Sequence, residues 1–134
     1  SLNRWSTAYF NTAPTITSDG RLKTNIKNVG YGLADVMKMR PVTYNWKTDP
    51  DHNHMVGFIA QEMEKIIPEA VEAPKSENDH YGVRYEELIP VLTKAIQEQQ
   101  AQIDALKKHN EASDLAYAKL AAQVKELKEA LNKK

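Results

Sequence analysis

The sequence contains no cysteine and no excess of either charge, and both absences restrict what the protein can do. Without cysteine, disulfide bonds, thiol catalysis and zinc–thiolate sites are excluded. The 18 basic side chains balance the 18 acidic ones, with 10 against 12 in residues 1–87 and 8 against 6 in residues 88–134. Binding to nucleic acid, which depends on a basic surface, is therefore not expected.

Glycine, proline and long hydrophobic runs are also scarce. Five Gly and six Pro among 134 residues are too few for a collagen-like or low-complexity polymer. No run approaches the roughly 20 apolar residues of a membrane-spanning helix, and no secretory signal is recognisable, so we expect a soluble chain without a membrane partner. A chain of this length has a small core, so any extended portion must bury its apolar side against something else, and the first expectation is another copy of the chain.

Local patterns divide the sequence into three parts. Residues 1–17 have the composition of an extended arm, the end of an upstream domain, and the turn-forming triplet at Ser18 opens a basic segment, so we place a boundary there. Residues 18–87 predict a small α+β head. Its expected elements are a helix over Leu33–Met39, a strand through Val42, Tyr44 and Trp46, a strand over Val56–Ala60, a helix over Gln61–Ile67 and an alternating segment over Tyr81–Tyr85.

Residues 88–134 carry a heptad repeat, in which side chains recur at alternating steps of three and four. At about 1.5 Å per residue, a continuous helix from Ile89 to Lys134 would extend roughly 70 Å, too far for this head to cover. The pattern predicts a long helix that forms an intermolecular coiled coil or helical bundle. We name these residues the seam: Ile89, Leu92, Ile96, Gln99, Ile103, Leu106, Asn110, Ser113, Tyr117, Leu120, Val124, Leu127 and Leu131.

The seam is weakest at Asn110 and Ser113, where an intramolecular helical hairpin is the alternative. The register continues unchanged across this point, which a turn of arbitrary length would break, and a polar seam residue is a recognised way to fix register. Intermolecular packing is therefore favoured. Stoichiometry does not follow from the seam, because Ile and Leu at these positions also suit two-stranded coils.

Candidate chemistry lies at the boundary, where Ser18 is followed five residues later by Lys23. On spacing alone, the ordinary interpretation is a capped turn with solvated basic side chains. The functional interpretation is a nucleophile with its general base, as in Ser-Lys catalytic dyads.

Four motif blocks in one order resemble the intramolecular chaperone domain of the peptidase S74 type, found at the C-terminus of phage tail fibre and tail spike (endosialidase-like) proteins. The most specific block is SDGRLKTNI at residues 18–26, similar to the family's S-D-x-R-x-K-x-x-I opening. The other blocks are RPVTYNW at 40–46, VGFIAQE at 56–62 with IPEAV at 67–71, and YEELIP at 85–90. The upstream block Arg4–Tyr9 also looks like the end of a fibre or spike.

The resemblance implies a homotrimer that aligns the preceding fibre or spike domain and then cuts itself free between Thr17 and Ser18, during phage assembly in the host cytoplasm. Ser18 would be the nucleophile and Lys23 its base, with Asp19, Gly20 and Arg21 as supporting candidates and no cofactor. Lys23 acts as a base only after losing its ammonium proton, so we expect a partly dry site or a neighbouring cation.

Other readings of the sequence remain. The Asp49, Asp51, His52 and His54 cluster is expected to be an ordinary loop and not a metal site, and Tyr44 and Trp46 are expected in the core or a subunit interface. One rival function is a coiled-coil tip that stays attached without chemistry, which predicts that Ser18 and Lys23 are far apart and exposed. The other is a helical adaptor for a different protein.

Overall fold

The protein is described by a computed structural model in which residue 11 and residues 15–132 are placed. Most of the predicted arm, including the Arg4–Tyr9 block, lies outside the described residues. The described chain has a small head of short helices and two-stranded sheets, followed by one long helix, and this confirms the predicted mixed fold. Its helices and strands are α1 (Leu33–Val36), β1 (Val42–Tyr44), β2 (Met55–Gly57), α2 (Ala60–Met63), β3 (Val71–Glu72), β4 (Gly82–Val83) and α3 (Leu88–Asn132).

Most elements of the head are shorter than their sequence patterns predict. Helix α1 ends at Val36, ahead of Met39, and β2 ends at Gly57. Ile59, which we placed in a strand, is instead the N-cap of α2 with φ −87° and ψ 117°. Helix α2 therefore starts one residue earlier than predicted and ends at Met63. Strand β3 follows the turn that begins at Pro68 and was not predicted, since two residues are too few for a detectable alternation.

Each sheet is one antiparallel pair. Strand β1 pairs with β2 so that Val42 lies opposite Gly57, and β3 pairs with β4 so that Val71 lies opposite Val83. An isolated pair of strands is marginally stable in water. These pairs depend on packing against helices, which join them into one head.

The core lies where α2, β3 and the start of α3 meet. Met63 and Ile67 are 1% and 2% exposed, and the helical spacing of four places both on one side of their segment. The other buried core residues are Ala70, Val71, Leu88, Val91 and Ala95. Since three of these residues belong to α3, the long helix is part of the head at its base.

A polar contact also holds the head on α3. A Glu98 carboxylate oxygen accepts a hydrogen bond from the backbone N–H of Leu33 at 2.8 Å, at the N-terminus of α1. The same carboxylate occupies the space that a Cβ on Gly32 would need, so glycine permits this approach. Lys94 lies 3.7 Å from Glu98 one helical turn earlier. Glu98 thus supplies from another helix an acceptor that the N-cap residue Gly32, which has no side chain, cannot provide, while Asp35 accepts from the Gly32 backbone N–H at 3.2 Å.

The Glu98→Ala protein is expected to lose about 1 kcal/mol of its free energy of unfolding, the usual loss for a removed helix cap. Glu98→Gln, which keeps an acceptor oxygen, is expected to lose less. Urea unfolding at one fixed chain concentration measures both, because concentration affects the stability of an oligomer. Glu111→Ala is the control, since Glu111 is exposed on the same helix. Equal losses for Glu98→Ala and Glu111→Ala would contradict the capping role.

Helix α3 runs without a break from Leu88 to Asn132, so the hairpin alternative at Asn110 does not form. Its 45 residues correspond to roughly 68 Å at 1.5 Å per residue. From Gln99 to Asn132 all side chains are exposed except Ser113, which is half-buried. Most of the helix therefore extends beyond the head as a single bare helix.

Candidate functional site: the Ser18–Lys23 turn and the helical seam

A single 3-10 turn, Gly20–Leu22, brings the two candidate catalytic side chains together. Asp19 is its N-cap, and the backbone N–H of Lys23 donates to the carbonyl of Gly20 at 3.1 Å, which ends the turn. The turn shortens a stretch that would span about 17 Å if fully extended. As a result, Lys23 Nζ lies 2.6 Å from Ser18 Oγ of the same chain.

This contact excludes one part of the non-cleaving rival, which predicts that Ser18 and Lys23 are far apart. The rival's second expectation is met, because both side chains are exposed in the single chain. The dry environment that we expected is thus not provided by the described residues. The physical reason is the position of residues 15–28, whose side chains are exposed apart from Asp19 and which contribute none of the buried core residues.

The supporting candidates Asp19 and Arg21 contact each other. The Asp19 carboxylate accepts hydrogen bonds from the Arg21 backbone N–H at 2.9 Å, from Nε at 3.0 Å and from Nη2 at 2.6 Å. These hydrogen bonds from Arg21, first from its side chain and then from its backbone, lower the pKa of Asp19. The pair therefore consists of a carboxylate and a guanidinium locked to one turn. Gly20, the third candidate, begins the turn and has open space around its Cα.

The seam residues form a second feature, on a different face of α3 from the one that contacts the head. Leu88, Val91 and Ala95 are buried against the head, whereas Ile89 and Ile96 are 64% and 65% exposed. Beyond the head, the exposed seam includes Ile103, Leu106, Tyr117, Leu120, Val124, Leu127 and Leu131, each at least 40% exposed. Exposed apolar stripes of this length are typical of helices that associate with other helices.

The motif blocks of the head serve mainly to hold it together. Arg40, from the second block, forms a bidentate ion pair with Glu62 of the third block. Arg40 Nε donates to Glu62 Oε2 at 3.0 Å and Nη2 donates to Oε1 at 2.5 Å. Tyr85, which opens the fourth block, accepts a hydrogen bond at Oη from the backbone N–H of Phe58 at 3.2 Å. A Cβ on Gly57 would lie 2.5 Å from that oxygen, so this glycine makes room for Tyr85. These motif residues hold parts of the head together and are not further candidates for catalysis.

The loop between β1 and β2 is organised by its own polar groups. Asp49 accepts hydrogen bonds from the backbone N–H groups of Asp51 and Asn53 at 3.0 and 2.9 Å, which lowers the pKa of Asp49. Within residues 15–132, no cluster of three or more His, Asp or Glu side chains is arranged to hold a metal. Trp46 packs edge-on against Tyr44 with ring centroids 5.2 Å apart but is 59% exposed, so the expected core position does not apply to it.

Residues 18–72 match the model of a protein family described as chaperone of endosialidase, Peptidase_S74. The match confirms the resemblance to this family that the motif blocks predicted. Among curated proteins, it is similar to the "Long tail fiber protein Gp37" of Enterobacteria phage M1 and to the protein of the same name from Enterobacteria phage Ox2. Each is 38% identical to it over 98 residues.

These matches cover different shares of the two chains. The aligned region is 69% of this chain and 39% of each fibre protein, so the chain spans well under half the length of these relatives. No helix within the described residues is long and apolar enough to cross a membrane.

Proposed function

We propose that this chain is an intramolecular chaperone that forms a trimer through its seam, aligns three copies of an upstream fibre or spike domain, and releases itself by cutting the Thr17–Ser18 bond. The observation that carries the proposal is the 2.6 Å contact between Lys23 Nζ and Ser18 Oγ. Support comes from the family match, whose first residue is Ser18. In this proposal residues 1–17 end the upstream domain, residues 18–87 form the cleaving head and residues 88–134 form the trimer.

The proposed reaction needs no cofactor. Lys23, as a neutral amine, takes the proton from Ser18 Oγ while Oγ forms a bond to the carbonyl carbon of Thr17. The Thr17–Ser18 C–N bond then breaks as Lys23 returns the proton to the departing nitrogen, which becomes the free amine of Ser18. Water hydrolyses the resulting ester, leaving a Thr17 carboxylic acid and restoring the Ser18 hydroxyl.

The observed geometry fits the resting state before this reaction. Lys23 Nζ donates to Ser18 Oγ, whereas catalysis requires the reverse, with the amine accepting the Oγ proton. The ammonium group must first release one proton to solvent; the neutral amine can then accept the Oγ proton without a large movement, because the two heavy atoms are already at hydrogen-bond distance. Covering of the exposed pair on trimer assembly would remove water from it and favour the neutral amine.

Trimerisation explains why a fibre would need a detachable module. Three chains that entwine into a stem must first find a common register, and this alignment costs entropy before any stem contact forms. A C-terminal trimer makes the remaining encounters intramolecular, at high effective concentration. Once interlocked, the stem is held by a kinetic barrier, so the helper can leave. The partners are therefore two further copies of this chain and the upstream domain, with assembly in the host cytoplasm and the fibre retained in the virion tail.

The direct test is to express the chain and measure its mass and its oligomeric state. We expect light scattering to give a trimer and mass spectrometry to give a fragment whose N-terminus is Ser18. An intact trimer without this fragment would contradict the cleavage, and a monomer would contradict the trimer.

The second candidate function is a trimeric tip that stays attached to its fibre. The exposure of both Ser18 and Lys23 favours it, because the described residues provide no dry environment around the pair. The same measurements separate the two functions, since an attached tip is a trimer whose chains all keep their full mass.

A further inference from the structure

The Asp19–Arg21 pair lies within the turn that joins Ser18 to Lys23, and the proposed reaction does not use it. The Arg21 Nε and Nη2 groups and the Arg21 backbone N–H all donate to the Asp19 carboxylate. The Arg21 side chain is 89% exposed, so the pair contributes little to overall stability. Any effect of the pair is therefore on the turn that joins Ser18 to Lys23.

Lys23 Nζ lies 2.6 Å from Ser18 Oγ, and Asp19 is the next residue, so without Arg21 the Asp19 carboxylate would be free to compete for the Lys23 ammonium group. A carboxylate is a stronger partner for an ammonium group than a serine hydroxyl is, because the hydrogen bond is charge-assisted. A free carboxylate would therefore draw Lys23 away from Ser18 and hold it in the protonated form. Within residues 15–132, the hydrogen bonds of Lys23 are with Ser18 and Gly20, and the charged residues nearest to it along the sequence are Asp19, Arg21 and Lys27.

We propose that Arg21 is a positioning residue that engages Asp19 and so leaves Lys23 to Ser18, while Asp19 caps the turn that brings the two together. This inference rests on the proposed cleavage for its role in the reaction, although the competition for Lys23 exists in the folded chain without any reaction. Asp19 has two separable functions in this arrangement. Its oxygen accepts the Arg21 N–H, and its charge is neutralised by the guanidinium.

Replacing Arg21 and replacing Asp19 should shift the pH dependence of cleavage in opposite directions. Cleavage through a neutral Lys23 becomes faster with rising pH until the amine is fully deprotonated. Arg21→Gln removes a cation and frees the carboxylate, so the midpoint of the pH–rate profile should move to higher pH. Asp19→Asn keeps an acceptor oxygen for the turn but removes the negative charge, so the midpoint should move to lower pH. A single charge roughly 4–10 Å from an amine in water predicts shifts of roughly 0.3–0.7 pH units, or about two- to fivefold in rate below the midpoint.

The experiment records pH–rate profiles of self-cleavage for the unchanged protein, Arg21→Gln, Asp19→Asn and the double variant, which should return towards the original midpoint. Lys38→Gln is the matched control. It breaks the exposed Lys38–Asp35 ion pair at 2.9 Å elsewhere in the head and should leave the midpoint unchanged. A merely structural role for the pair would change the plateau rate and leave all midpoints equal, and that result would overturn the proposal.

A second readout does not depend on cleavage. In the uncleavable Ser18→Ala background, NMR of 13C-labelled lysine follows the protonation of Lys23 directly. Arg21→Gln should move the Lys23 titration to higher pH and Asp19→Asn to lower pH. Unchanged titrations would overturn this inference even if the protein cuts itself, whereas shifted titrations in a protein that never cuts would support it and contradict only the cleavage.

Discussion

The Ser18→Ala protein is expected to remain a single uncut chain, whereas the unchanged protein is expected to release a fragment beginning at Ser18. Loss of a serine nucleophile leaves no oxygen to form the ester, and the rate should fall by at least about 10³-fold. The change removes one exposed oxygen and its hydrogen bond to Lys23, so the fold and the trimer should persist. Denaturing gels and intact mass measure cleavage, and light scattering measures the oligomer.

Lys23 is tested most sharply by arginine. Lys23→Arg keeps the positive charge and the ability to donate a hydrogen bond to Ser18, but a guanidinium group does not deprotonate in proteins. If Lys23 is the base, Lys23→Arg should therefore be as inactive as Lys23→Ala. Cleavage by Lys23→Arg within about tenfold of the normal rate would show that Lys23 only positions Ser18.

Two controls match these changes in chemistry and exposure. Ser76→Ala removes an exposed serine hydroxyl from a loop of the head, and Lys27→Arg exchanges an exposed lysine four residues after Lys23. Both should cut at the normal rate. Full cleavage by Ser18→Ala would contradict the assignment of the nucleophile, and slow cleavage by Ser76→Ala would show that the assay reports folding and not chemistry.

The contrast between the two parts of the chain shows what the sequence can predict. The continuous α3 was predictable because the seam repeats over many turns, and its register continues across Asn110, which favoured one long helix over a helical hairpin. The Ser18–Lys23 contact was predictable only through the family motif. On spacing alone the same residues favoured a capped turn, and the structure contains that capped turn as well as the contact. The two interpretations are compatible, because the turn capped by Asp19 brings Lys23 to Ser18.

The contacts that the sequence did not reveal join residues far apart in the chain. Glu98 reads as an ordinary acid on the outer side of a coiled-coil helix, and nothing near it indicates that it caps α1, 65 residues earlier. Tyr85 alternates like a strand residue, yet its hydroxyl binds the backbone at Phe58 and requires Gly57. Gly32 and Gly57 were the available signals, since a glycine outside a turn often marks a place where another group approaches the backbone closely. The exposure of Ser18 and Lys23 was also missed, because the need for a dry site came from the chemistry and not from local sequence.

The Ile103→Asp protein is expected to lose its trimer and to become monomeric at micromolar concentration. Ile103 lies on the seam beyond the contacts between the head and α3, so its replacement should leave the head folded. In a trimer, the change places three carboxylates in one apolar layer and forfeits about 1.5–3 kcal/mol of burial from each chain, in addition to the cost of desolvating the charges. Light scattering measures the oligomer, and circular dichroism at 222 nm should weaken because a bare helix is marginal in water.

Ala105→Asp is the matched control for this change. Ala105 lies two residues further along the same helix, on the side away from the seam, so the same new carboxylate would face water and leave the trimer intact. In the proposed function, Ile103→Asp should also slow cleavage, because the Ser18–Lys23 pair is exposed in a single chain and would no longer be covered. A trimeric Ile103→Asp protein with full helical signal would contradict the seam. A monomer that cuts itself at the normal rate would leave the seam standing and show that cleavage does not wait for assembly.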